Sequence, residues 1–245
     1  MSTAGSLTYL RLELVRALRN TRFFLFSLVF PLILFLVVAG ANRHETLGGI
    51  PFPVYYLAGM VSWGTMAAVA AGGARIAMER AVGWNRQLRL TPLGAWTYLR
   101  AKILSGYLVA LMSIVLLYVA GIFLGVRLPA DRWLEMTGLV LIGLVPFAAL
   151  GIWLGHQLTP ESMGPALGGI TALFALLGGA WGPLASKGFI LDLARALPSY
   201  WLVQAGHSAV TGSGWGVRGW VVIALWTGAF GLLAARAYRR DTRRV

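Results

Sequence analysis

The side chains that could carry out a reaction are few in this sequence, and they do not gather. The acids Glu13, Glu45, Glu79, Asp131, Glu135, Glu161, Asp192 and Asp241 fall in loops, flanks or the ends of apolar runs. The histidines His44, His156 and His207 share no HExxH or comparable ligand spacing, so each reads as a loop or span-end residue, not a metal ligand. Cysteine is absent, which excludes disulfides, thiolate metal sites and cysteine nucleophiles. No serine sits in GxSxG. Neither Lys102 nor Lys187 follows a glycine in a GxxxxGKS or GxxxxGKT phosphate loop. The chain is therefore expected to be no enzyme: it has no catalytic residues, no metal and no cofactor of its own, and it does not hydrolyse ATP itself.

What must position so little chemistry is apolar. The 245 residues are 58% hydrophobic and 12% charged, whereas a soluble domain carries about 25% charged residues. Half the usual charge cannot cover a globule of this size, so the chain belongs in a membrane. The net charge of +13 is that of a membrane protein whose inner loops collect Lys and Arg, and no nucleic-acid partner is expected. Burying an acid at the centre of a span costs about 2.5–3.5 kcal/mol on insertion scales, and no run here carries one. That lowers the standing of a proton- or sodium-driven carrier.

Crossing about 30 Å of hydrocarbon takes about 20 helical residues. Six runs meet that need: 23–41, 54–77, 103–125, 134–154, 163–183 and 219–235. The expected fold class is an all-α membrane protein of six transmembrane helices. With both termini cytoplasmic, most of the 21 Lys and Arg lie inside, and only Arg43, Arg127, Arg132, Lys187, Arg195 and Arg218 lie outside. Arg75, near the end of the second run, is placed to snorkel. Ala39-Gly40-Ala41 after an Arg-rich start resembles a signal-peptide cleavage site, but the apolar run exceeds the usual 7–15 residues, so a retained first helix is expected.

Residues 1–22 place Leu7, Leu10, Leu14 and Leu18 at helical spacing. Two readings stay open there: an amphipathic helix lying on the inner surface, or a solvated basic flank. Segment 184–218 is long and partly apolar, and its FILDLARALPSYWLV suggests a partly inserted hairpin broken at Pro198. In the fifth run Gly164, Gly168 and Ala172, then Ala175 and Gly179, follow the four-residue spacing of small side chains that lets helices touch, within one chain or between two.

Between the second and third runs, 78–102, the chain reads ERAVGWNRQLRLTPLGAWTYLRAK from Glu79 to Lys102. Gly83 permits a break. Trp84–Leu90 then carries Leu88 and Leu90 beside Arg86 and Arg89, and Thr91-Pro92 is a helix-start pair. Large apolar residues with arginine are the ingredients of a docking surface, although a basic loop alone would also fit.

ERAVGWNRQLRLTPLG, with the lysine of TYLRAK, resembles the loop of ABC-2-type transporter permeases, commonly E-R-x-x-G-x-x-x-Q-L-x-x-T-P-L. It looks most like the bacterial branch of drug export and antibiotic resistance that includes daunorubicin-resistance-type permeases. The similarity extends to the lead-in, the six runs and LPSYWLVQAGHSAVTG before the last run. It implies a single ABC-2-type transmembrane domain over 1–245 in the bacterial cytoplasmic (inner) membrane. A second permease, identical or a sister, would complete the pathway, and two copies of an ABC ATPase subunit would hold ATP and magnesium beneath. Glu79, Arg80, Gly83, Trp84, Arg86, Leu88, Arg89, Leu90, Thr91 and Pro92 would form the coupling segment, with Glu79 and Arg80 placed for ion pairs to that partner. Pro198, Tyr200 and Trp201 would belong to an outer gate. An amphipathic drug-like compound, lipid or peptide would be the cargo. Arg86 and Trp84 depart from the family pattern, where an acid and a small residue are common. A membrane-embedded enzyme or accessory subunit, or a carrier running without ATP, is the competing reading.

Overall fold

Five helices among the described residues are long and apolar enough to cross a bilayer. The computed structural model describes residues 3–19, 25–84, 87, 94–184, 187–212 and 214–243. Helix α1 spans Thr3–Arg19 and turns Tyr9, Glu13 and Ala17 inwards while Leu12 and Val15 stay exposed. The run expected at 23–41 is described from Leu25. It winds as a π-helical turn Leu25–Val29, an α-helical turn α2 (Phe30–Leu34) and a second π-helical turn Phe35–Ala39. Pro31 cannot donate to the carbonyl four residues back, and the Ser113 hydroxyl reaches that Ser27 carbonyl at 3.5 Å. The apolar Ser27–Ala39 falls short of a full span. Six spans were expected; the described residues give five and this shorter helix.

A two-residue hairpin, β1 (Thr46–Leu47) and β2 (Ile50–Pro51), turns on Gly48 and Gly49, both at positive φ. The second span follows as α3 (Phe52–Ala70) and α4 (Gly72–Ala81), offset at Ala71 just before a glycine pair. Its most apolar window is 89% buried, against 22% for Pro160–Gly178 and 28% for Val217–Asp241. The second span is thus the central post, and those two lie at the rim.

Helix α5 (Ala95–Phe123) returns alongside α3. The fourth span is α6 (Ala130–Gly143) and α7 (Val145–Gln157), broken at Leu144 before Pro146. Helix α8 (Pro160–Gly178) starts with a capping box between Thr159 and Ser162 and ends on Gly179 at φ +79. Within segment 184–218 lie α9 (Phe189–Arg195) and α10 (Pro198–Thr211). The indoles of Trp201 and Trp226 donate to the Arg195 and Ala196 carbonyls at 2.9 and 2.8 Å, satisfying the end of α9. Helix α10 lies along α3: the Ser62 hydroxyl donates to the Leu202 carbonyl at 3.0 Å, and a Cβ on Gly206 would collide with Ala58. Helix α11 (Val217–Arg243) closes the bundle against α7.

Candidate functional site at the charged helix ends

Helix α4 ends at Ala81, and the next turn closes with Val82 N–H on the Met78 carbonyl and Gly83 N–H on the Arg80 carbonyl. Gly83 takes φ +71, a conformation costly for any residue with a Cβ. The segment expected to dock a partner begins here. Its Arg86, Leu88, Arg89, Leu90, Thr91 and Pro92 lie outside the described residues; Glu79, Arg80, Gly83 and Trp84 lie within them.

Glu79 and Arg80 are neighbours on the helix, so their side chains leave it about 100° apart. Glu79 Oε1 meets Lys102 Nζ of α5 at 2.6 Å, and the Tyr98 hydroxyl donates to Glu79 Oε2 at 2.7 Å. The same Lys102 reaches Glu13 Oε1 of α1 at 2.8 Å. Glu13 also faces Arg75 Nε at 3.0 Å, and Arg75 donates to the Ser105 hydroxyl at 2.6 Å. Lys102 and Glu13 are each 1% exposed. Two acids and two bases therefore sit in a nearly dry, neutral cluster joining α1, α4 and α5. Removing water strengthens each attraction and raises the cost of losing a partner. Tyr9 lies beside it, its ring centroid 6.4 Å from that of Tyr98. Burial first, then the charges of Glu79 and Glu13, push its phenol upward, so Tyr9 stays neutral.

Arg80 points the other way. Its Nε meets Asp241 Oδ2 of α11 at 2.8 Å, and its Nη1 donates to the Gly155 carbonyl at 3.0 Å near the end of α7. Asp241 also faces His156 Nδ1 at 3.1 Å. The two residues first read as groups for a partner thus have partners within the chain. Between them they tie the end of the second span to α1, α5, α7 and α11. Trp84 adds a tie to α1, its ring lying under the Arg16 guanidinium at 5.5 Å.

The approach of α4 to α7 rests on glycine. A Cβ on Gly73 would strike the Gly151 carbonyl, and one on Gly151 would strike the Ala70 carbonyl. A Cβ on Gly155 would likewise lie only 2.5 Å from the Gly73 carbonyl oxygen. The small-residue spacing first noted in the fifth run has a different setting. Around Gly164 and Gly168 nothing lies within 4 Å of an added Cβ, Ala175 is buried, and Gly179 caps the helix. Ala172 is half-buried.

At the opposite end of the bundle, Tyr55 stacks on His207 with centroids 4.5 Å apart. Beside them is a cavity of about 200 Å³ lined also by Tyr200, Gln204 and Gly178. Of the expected gate residues, Tyr200 faces this cavity, Pro198 begins α10, and Trp201 packs under Gly219. Among the described residues no group of three His, Cys, Asp or Glu could hold a metal ion.

From the sequence, Glu13, Arg75, Tyr98, Lys102, His156 and Asp241 were not expected to form a cluster. Arg75, expected to snorkel, is turned inwards at 7% exposure. The available signal was that Glu13, Glu79 and Asp241 are acids standing on the most basic side of the chain.

A family model described as ABC-2 family transporter protein matches residues 51–236. A relative named "Putative transport permease YvfS", from Bacillus subtilis (strain 168), is 28% identical over 204 residues, covering 82% of this chain and 83% of the relative.

Proposed function

The chain belongs to the ABC-2 family of transporter proteins and is a multi-pass membrane permease, and on that premise we propose that it is the membrane subunit of an ATP-driven exporter. Two copies of a separate ABC ATPase would bind and hydrolyse ATP with magnesium, and two permeases, identical or sisters, would enclose the path. The membrane would be the bacterial cytoplasmic membrane, with both termini inside, as the distribution of Lys and Arg favours. The cargo would be an amphipathic compound, lipid or peptide, in keeping with the uncharged centres of the spans.

The observation that carries this reading is the pair of opposed ties at Glu79 and Arg80. A push on the segment after Gly83 would reach four other helices, because the Glu79–Lys102–Glu13 pairs are buried from water and Arg80 is held by both Asp241 and the Gly155 carbonyl. Such a joint suits a chain that receives work from outside and spends it on helix movement. The segment 184–218 would form a re-entrant outer gate, with Tyr200 over the cavity at Tyr55 and His207.

Co-expression with the candidate ATPase tests the scheme. The double variant Leu88→Asp and Leu90→Asp is expected to lose ATPase on pull-down while the chain still inserts and elutes as the wild type does. Unchanged capture of the ATPase would place docking elsewhere. Wild-type complex in vesicles is expected to expel a fluorescent amphipathic dye only with ATP; efflux indifferent to ATP would overturn the exporter reading.

A further inference from the structure

A groove of about 530 Å³ runs between α5, α7 and α11. Leu99 and Ile103 form one wall, Ala149 and Ile152 the floor, and Gly231 and Ala235 the other wall. It extends along α5 from Trp96 to Tyr107, about 16 Å at the helical rise. That is about half the hydrocarbon thickness, the depth of one leaflet. At its inner limit the Tyr107 hydroxyl is spent on the Leu141 carbonyl at 3.0 Å, so that end offers no free polar group to a guest.

The mouth is different. Trp96 is 74% exposed there, with the Arg100 guanidinium 6.0 Å from its ring. Arg239 lines the opening, and Arg236 and Arg240 are exposed on the same end of α11. Among the described residues that line the groove none is an acid. An apolar slot one leaflet deep beneath an arginine-rimmed, tryptophan-marked mouth fits a diacyl lipid with an anionic head. We propose that this groove binds one anionic glycerophospholipid from the leaflet on the side where α11 ends, an acyl chain lying between α5 and α11 and its phosphate at Arg100 and Arg239. A zwitterionic lipid offers the same tail but no net charge to the rim. The site needs no ATPase and is independent of the exporter reading.

Native mass spectrometry of the full chain in mild detergent, titrated with phosphatidylglycerol or phosphatidylcholine, tests this. One phosphatidylglycerol is expected to stay bound at energies that strip phosphatidylcholine, with at least a tenfold preference. Arg100→Gln with Arg239→Gln should remove that preference, at about fivefold per arginine. Gly231→Leu should abolish the tight adduct by filling the groove; an added Cβ meets nothing within 4 Å there, so the fold has room for it. Should that variant aggregate, Ala235→Leu fills the same slot from an exposed position. Equal retention of the two lipids, or a tight adduct undiminished in the groove-filling variant, overturns the proposal.

Discussion

Lys102 is the single cation between two acids, 2.8 Å from Glu13 and 2.6 Å from Glu79. Replacing it by methionine roughly keeps the length of the side chain, leaving Glu79 only the Tyr98 hydroxyl and Glu13 only Arg75. Breaking a buried pair in this way costs about 3–5 kcal/mol. Tyr98→Phe removes one hydrogen bond to Glu79, a loss of about 1.5–3 kcal/mol for a bond to a charged group. Thermal unfolding in detergent should therefore rank Lys102→Met well below Tyr98→Phe. The reverse order would mean that the cluster is held by its phenol and not by its lysine. This cluster was hard to read from the sequence because each member, taken alone, passes for an ordinary flanking charge. Only the fold brings residues 13, 75, 79 and 102 together.

Helices were the more legible level. A span must be apolar along its length, so uncharged runs betray it, and five such runs emerged as helices long enough to cross. Their ends were less visible. The third run was expected from residue 103, yet α5 begins at Ala95, because Tyr98 and Lys102 find partners that let the helix continue through charged residues. The fourth was expected at 134–154 and occupies Ala130–Gln157, its interior Pro146 accommodated by a break at Leu144. Close helix approach was also only partly legible. The spacing at Gly164 and Gly168 marked the fifth run, while close backbone approach among the described residues includes Gly73, Gly151 and Gly155. Gly151→Ala should lower folded yield and melting temperature, since a methyl must displace the Ala70 carbonyl. Gly168→Leu should leave the single chain folded and, if that face meets a second permease, reduce the dimer seen by size exclusion. A Gly151→Ala protein as stable as wild type would show that the second span and α7 can part without cost at Ala70.

As a whole the molecule divides into a half packed around α3 and a half jointed to it through α4. Around α3, Gly59 sits against the Ala180 carbonyl and Ser62 is bonded to Leu202, so α3, α10 and the turn after α8 are tied together. The offset at Ala71 separates that block from α4. Hydrogen exchange on the purified chain should show α3 amides slower to exchange than those of α4, where the Gly72-Gly73 pair weakens the helix. Equal protection would make the second span one rigid rod, and any movement would then have to tilt it entire.

The bond from Arg80 to Asp241 spans 161 positions of sequence. Trimming the tail ahead of that aspartate, a common choice when fitting a purification tag, would strand a guanidinium beside the carbonyls that finish the fourth span. The damage would surface far from the cut, at the foot of the second span. A shortened terminus would then masquerade as a defect in energy transmission.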